Sequence, residues 1–168
     1  MSKFLVSLID RLNFIVRILI GLGLLCMVVL ISLQVAVRFI LPKLGMPAGL
    51  PWTEEAARYL MVWVIFLGGA IAARHGLLIA VTALIEALPS APSRLLRRAA
   101  LALLAGIFVA MAWYGWQWTQ FGADEISPAL TLSKFWLYLA MPVGCTLAAV
   151  NTLVLMLRNG EAHEALAA

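Results

Sequence analysis

The side chains of this sequence that could do chemistry are few and lie far apart. The two histidines are His75 and His163, and the two cysteines, Cys26 and Cys145, lie within long apolar runs. A haem inside a helical bundle needs histidine ligands on the helices, and a metal site needs His, Cys or acidic residues at short spacing. The sequence contains neither pattern, and it has no Walker A motif and no Cys-x-x-Cys pair. We therefore predict no enzyme activity, no cofactor and no metal site.

Ion pairing is the chemistry that the best-defined polar group of this sequence could do. Gln34 and Arg38 end one apolar run, and Glu54, Glu55 and Arg58 begin the next. Charges near a membrane interface are partly desolvated, which favours pairing, although each could also extend to water by itself. We expect a pair between Arg38 and Glu54 or Glu55, with all four charges acting as structural or partner-interface residues.

The apolar runs predict the helices that must position these charges. Residues 18–37, 99–123 and 135–157 are free of formal charge, and a hydrocarbon core of about 30 Å needs about 20 helical residues. The fourth run, at about 54–73, has only 15 uncharged residues, 59–73. The first turn of its helix must therefore carry Glu54, Glu55 and Arg58 into the interface. We predict spans at about 17–40, 54–73, 98–119 and 134–157.

Composition places the chain in the membrane class as one all-α domain, residues 1–168. It is 64% hydrophobic and 12% charged, with a mean hydropathy of +1.02. With both termini cytoplasmic, eight of the 12 Lys and Arg residues fall on that side, as the positive-inside rule requires. The net charge of +4 is then explained by topology and anionic lipid, and it indicates no nucleic-acid partner.

Two further segments read as amphipathic helices. Residues 3–17 repeat apolar side chains at helical spacing and either lie at the cytoplasmic interface or extend the first span. Residues 77–88 are apolar but too short to span, so we expect a helix that lies along the cytoplasmic membrane surface or packs against a partner.

Small residues spaced four apart predict close helix packing. Such ridges either pack the four helices together or dock another membrane protein. The candidate packing residues are Gly68, Gly69, Ala102, Gly106, Ala110, Ala140, Gly144 and Ala148.

Two segments resemble the signatures of one family, the small (DctQ-like) membrane subunit of tripartite ATP-independent periplasmic (TRAP) transporters. The first is Trp-Thr-Glu-Glu-Ala-Ala-Arg-Tyr-Leu at 52–60, with Trp63 and the Phe-Leu-Gly-Gly-Ala of 66–70. The second is Ser-Pro-Ala-Leu at 127–130 with 136–144. Gln34 and Arg38 also match the end of the family's first span. Family members often carry His and Asp after span two, where this chain has Leu78 and Thr82.

The resemblance implies a multi-pass scaffold subunit in the bacterial inner membrane. In such systems a periplasmic binding protein delivers an organic anion, of the carboxylate or sialic acid class, to a large membrane subunit driven by a sodium or proton gradient. The expected partners are that large subunit, the binding protein and membrane lipid. We expect the large subunit to be a separate polypeptide. The candidate periplasmic contacts are Trp52, Asp124, Glu125, Ser127 and Pro128.

The alternative function is a self-associating four-helix transporter that acts without partners. A homo-oligomer could assemble a polar pathway at its subunit interface from Gln34, Thr146 and Asn151.

Overall fold

Long helices separated by short connections make up the described part of the chain. The computed structural model describes residues 3–44, 49–74 and 90–164. The α-helices are α1 (Lys3–Phe39), α2 (Pro51–Arg74), α3 (Ser90–Phe121), α4 (Phe135–Tyr138) and α5 (Ala140–Glu164), with short 3₁₀ helices at Leu41–Leu44 and Gly122–Asp124.

In the described part of the chain, four segments are long and apolar enough to cross a bilayer, which confirms the predicted four-span fold. They are Val6–Phe39, Pro51–Arg74, Leu95–Asp124 and Phe135–Leu157. The predicted surface helix at 77–88, with Leu78 and Thr82, lies outside the described residues. The cytoplasmic placement of the termini stays a prediction.

The extent of helix α1 decides between the two predictions for residues 3–17, which were a helix at the cytoplasmic interface and an extension of the first span. These residues form no separate helix and continue into the first span without interruption. At 1.5 Å per residue, the 37 residues of α1 are about 55 Å long, which exceeds the hydrocarbon thickness. The first candidate span accordingly begins at Val6, well before the predicted position 17.

Helix α5 is the centre of the packing. The most extensive helix contacts join α1 to α2, α2 to α5, and α5 to α3. Ala70, Ala73 and Ala148 form a buried cluster between α2 and α5. A Cβ atom at Gly144 would come within 2.6 Å of the Phe66 Cβ, so the small residue at 144 permits this close approach.

The last span is interrupted near Pro142. Helix α4 ends at Tyr138 and α5 begins at Ala140. Pro142 has no N–H to donate to the Tyr138 carbonyl, which explains a break at this position. The Trp63 Nε1–H donates to the Trp136 carbonyl oxygen at 3.0 Å and ties α2 to α4.

Candidate functional site

A carboxylate at the start of α2 holds the connection between α3 and α4. The Glu55 Oε2 atom accepts hydrogen bonds from the backbone N–H of Ala129 at 2.9 Å and of Leu130 at 2.8 Å. Hydrogen bonds to an ionised acceptor are stronger than neutral ones. Glu55 therefore joins the two segments that carried the family resemblance in the sequence.

The connection itself is a short hairpin, residues 125–134, which we call the external hairpin. Ile126 and Ser133 form an antiparallel bridge, with Ser127 N–H bonded to the Leu132 carbonyl and Lys134 N–H to the Glu125 carbonyl, both at 2.8 Å. A hydrogen bond of 3.0 Å from the Thr131 N–H to the Ser127 carbonyl closes its turn. Thr131 itself adopts the left-handed backbone conformation, with φ at 52°. A non-glycine residue there is unfavourable, so neighbouring contacts must hold the turn.

An ion pair crosses the base of the external hairpin. Lys134 Nζ lies 2.8 Å from Glu125 Oε2, and both side chains are a little over a third exposed. The hydrogen bond and the charge of Glu125 raise the pKa of Lys134. The lysine therefore stays protonated throughout the physiological pH range.

The predicted ion pair of Arg38 is wrong. Glu54 instead accepts a hydrogen bond from Gln34 Nε2 at 3.2 Å and pairs with Arg58 Nη2 at 3.5 Å. Within the described ranges, Arg38 forms no ion pair with either carboxylate. Gln34 provides the side-chain link between α1 and α2 at this end, and it was assigned no such role from the sequence.

The residues predicted to contact a periplasmic partner differ in their exposure. Trp52, Asp124 and Pro128 are exposed, as a contact surface requires, and Glu125 is half-buried in its ion pair. Ser127 is only 1% exposed, so its role as a contact residue is corrected to a structural one. Its backbone N–H and carbonyl both take part in the hydrogen bonds of the hairpin.

Comparison with known proteins decides the family. The family model of the DctQ component of tripartite ATP-independent periplasmic transporters matches residues 27–160, a range that includes Glu55, the external hairpin and the buried part of α5. The chain belongs to this DctQ family. It is also 36% identical over 63 residues to a protein of Haemophilus influenzae whose name describes it as a TRAP transporter small permease. That alignment covers 38% of this chain and 36% of the relative, so the chain aligns with little more than a third of that protein.

The family assignment confirms the resemblance drawn from the sequence. DctQ is a transporter component and not an enzyme family, and the four spans agree with a multi-pass protein of the bacterial inner membrane. Among the described residues, no three His, Cys, Asp or Glu side chains are grouped so that they could hold a metal ion.

The two small-residue ridges of this DctQ chain have different environments. Those of α5 are buried, and those of α3 are exposed on the outer face of the helix. A Cβ atom added at Gly106, Gly68 or Gly69 would meet nothing within 4 Å. The α5 ridge, which is Ala140, Gly144 and Ala148, therefore packs the bundle, while Ala102, Gly106 and Ala110 pack against nothing among the described residues.

Sequence reasoning missed a buried polar cluster that joins three helices of the DctQ chain. Asn13 of α1 and Asn151 of α5 exchange two side-chain hydrogen bonds, of 2.7 and 2.8 Å. Asn151 Nδ2 also donates to the Ala70 carbonyl of α2 at 2.8 Å, and Asn13 Nδ2 donates to the Ile9 carbonyl at 2.9 Å. We call Asn13, Asn151 and the Ala70 carbonyl the amide clamp. The one available signal was an asparagine within or near an apolar run, which Asn13 and Asn151 share with the third asparagine of the chain, Asn159.

The other polar residues considered for a transport pathway also form bonds within the chain. Thr146 Oγ1 donates to the Pro142 carbonyl at 2.7 Å, and Gln34 donates to Glu54. Asn151 is fully buried in the amide clamp. Each of the three therefore has a hydrogen-bond partner within the chain.

An apolar cleft of about 550 Å³ lies between α1, α3 and α5. Its lining includes Leu8 and Leu12 of α1, Trp116 of α3, and Val143 and Val150 of α5. Leu12 and Val150 are the chain neighbours of the two asparagines, so the amide clamp lies beside this cleft.

Proposed function

We propose that this DctQ chain is the non-catalytic scaffold of a TRAP transporter. It packs beside a large membrane subunit that carries out ion-gradient-driven uptake of an organic anion, of the carboxylate or sialic acid class. The family assignment supports the class of complex. The observation that carries the scaffold role is that these polar side chains bond within the chain. The two buried asparagines bond to each other and to the Ala70 carbonyl, Thr146 donates to the Pro142 carbonyl, and Glu55 accepts from the hairpin backbone.

A chain that transports alone would need polar groups that are free to bind an ion or a substrate. Ions and polar substrates cross a membrane along side chains or backbone carbonyls that are available to bind them. In the described part of this chain, each candidate side chain bonds within the chain. Gln34 donates to Glu54, Thr146 donates to the Pro142 carbonyl, and Asn151 bonds to Asn13. This arrangement supports a scaffold and weighs against a chain that transports alone.

We also propose that the external hairpin meets the periplasmic binding protein. It lies between the spans that end at Asp124 and begin at Phe135, so it is outside the hydrocarbon region. Ile126 is 69% exposed and Leu132 is 47% exposed, while Glu55 fixes the backbone between them. A rigid backbone that presents exposed apolar side chains lowers the ordering cost of binding.

Uptake into proteoliposomes tests the scaffold role. The purified chain, reconstituted alone with an inward sodium or proton gradient, should take up neither a labelled dicarboxylate nor a labelled sialic acid. Uptake should require the co-purified large subunit and the binding protein. Gradient-driven uptake by the chain alone would overturn the proposal and favour the self-associating transporter.

Matched variants test the role of the hairpin in the same assay. Glu55→Ala should lower binding-protein-dependent uptake without changing the order of preferred substrates, because the substrate site lies in other proteins. Glu54→Ala is the control, since its contacts are exposed and do not involve the hairpin. A changed substrate order in Glu55→Ala would contradict this role.

A further inference from the structure

We propose that the amide clamp is a latch that holds the N-terminal part of α1, residues 6–17, on the bundle and so closes one wall of the apolar cleft. Without the latch, this segment would leave α5 and lie at the membrane interface. The proposal concerns the conformation of the chain itself and does not depend on the proposed function.

Apolar packing contributes little to the docking of residues 6–17 on the bundle. Leu8, Leu12, Phe14 and Ile15 are each about half exposed or more, and the main contacts of α1 are with α2 rather than α5. In a bilayer the lipid is as apolar as these side chains, so burying them against another helix gains little. Apolar contact alone leaves the docked and undocked positions similar in free energy.

The amide groups of Asn13 and Asn151 make the docked position lower in free energy than the undocked one. Asn13 is 2% exposed and Asn151 is fully buried, and all four amide N–H donors of the pair are bonded. Undocking breaks both bonds between the asparagines and leaves Asn151 with an unpaired amide oxygen inside the membrane. Unpaired polar groups in hydrocarbon are costly, so the clamp favours docking.

A second polar contact lies one turn away and acts in the same direction. Arg74 Nη2 at the end of α2 lies 2.5 Å from Asp10 Oδ1 of α1. The Arg74 side chain is only 8% exposed, so this pair is shielded on one side. It holds α1 to α2, whereas the amide clamp is the polar contact that reaches α5.

The undocked position is the plane of the membrane interface, and the sequence of residues 6–17 suits it. Residues 6–17 carry Arg11, Arg17 and Asp10 among apolar side chains. A helix of this kind is stable in the plane of the interface. The segment therefore has two accessible positions, and the latch selects between them.

Disulfide cross-linking between α1 and α5 tests the latch in the full chain. The reporter pair is Leu12→Cys with Val150→Cys, whose parent residues line the same cleft. The control pair is Gly23→Cys with Val64→Cys, because a Cβ at Gly23 would lie 3.0 Å from the Val64 Cγ2. Both pairs are built with Cys26 and Cys145 replaced by alanine and are oxidised in native membranes.

The latch predicts a specific pattern across three variants. Asn13→Leu, Asn151→Leu and the double Leu variant should each reduce reporter cross-linking at a fixed oxidation time by about fivefold or more. The control pair should cross-link as before in all of them, because α1 stays packed on α2 beyond the latch.

Each other outcome overturns the proposal. Unchanged reporter cross-linking in the single variants would mean that the clamp does not hold the segment. Full cross-linking in the double Leu variant would mean that apolar packing and the pair between Arg74 and Asp10 are sufficient for docking without the clamp. Loss of the control cross-link as well would mean that the asparagines stabilise the whole bundle rather than a local latch.

Discussion

The hydrogen bonds from the external hairpin to Glu55 lead to the sharpest prediction for a single side chain. The change is Glu55→Ala, which removes the acceptor of the Ala129 and Leu130 N–H groups. These two bonds, at 2.9 and 2.8 Å, are the side-chain contacts that join the turn to α2. Their loss should let the hairpin open locally without unfolding the four helices.

The expected size follows from the number and type of these bonds. A hydrogen bond to a charged group in a partly exposed setting changes a local equilibrium by roughly tenfold. Two such bonds give about a 100-fold increase in the open population if they act independently. The left-handed Thr131 adds to this tendency, because its backbone conformation is unfavourable without support.

Amide hydrogen exchange measures this opening directly. In detergent micelles or nanodiscs, the amides of Ala129 and Leu130 should exchange about 100-fold faster in Glu55→Ala, while the amides of the buried part of α5 stay protected. In Glu55→Gln these amides should exchange at a rate between those of the unaltered chain and Glu55→Ala. The glutamine carbonyl oxygen still accepts a hydrogen bond but carries no charge. Glu54→Ala should leave both hairpin amides unchanged.

Two results would refute this reasoning. Equal exchange in Glu55→Ala and the unaltered chain would show that the hairpin is held by its own backbone bonds. Equal acceleration in Glu54→Ala would show that general loss of negative charge, and not the specific acceptor, controls the hairpin.

The remaining predictions concern packing and charge. Gly144→Val should lower the melting temperature and the yield of folded chain, because the new side chain meets Phe66. Gly106→Val should leave both quantities unchanged in the isolated chain. An equal loss in both variants would contradict the assignment of the α5 ridge to internal packing. The pair between Lys134 and Glu125 should stabilise the hairpin fully below the unfolded lysine pKa of about 10.5 and be lost as the pH rises through the raised folded value. The melting-temperature difference between the unaltered chain and Lys134→Gln should therefore be the same at pH 7 and pH 9, and a difference that shrinks over this range would count against the pair.

The overall fold could be predicted from the sequence because membrane spans depend on a simple length rule. Apolar runs of 20 or more residues can only cross the bilayer as helices, so the number of spans and their approximate positions followed. The break near Pro142 followed equally simply from a missing backbone donor. The start of α1 was harder, since the amphipathic pattern of residues 3–17 fits both an interfacial helix and a longer span.

The contacts of the charged residues could be predicted only as a group. The sequence placed Gln34, Arg38, Glu54 and Glu55 at one end of the bundle, but it could not choose which side chain meets which. Both Arg38 and Gln34 can donate to a carboxylate, and the rotation of α1 against α2 decides between them. The acceptor role of Glu55 was also out of reach, because backbone donors carry no side-chain signal in a sequence.

The amide clamp shows a different limit of the sequence. Asn13 and Asn151 lie 138 positions apart, and nothing local to either one indicates a partner. Their pairing depends on how far α1 extends past the first predicted span. Because residues 3–17 fit an interfacial helix as well as a longer first span, the sequence does not place Asn13 inside the bundle and does not indicate the pair.

The most direct test of the scaffold account is to extract the tagged chain from its native membrane in mild detergent and to identify what remains bound by mass spectrometry. The account predicts a stoichiometric polytopic membrane protein, the large subunit, which should stay bound through size-exclusion chromatography. Recovery of the chain alone as a stable homo-oligomer, from membranes that contain the large subunit, would contradict it.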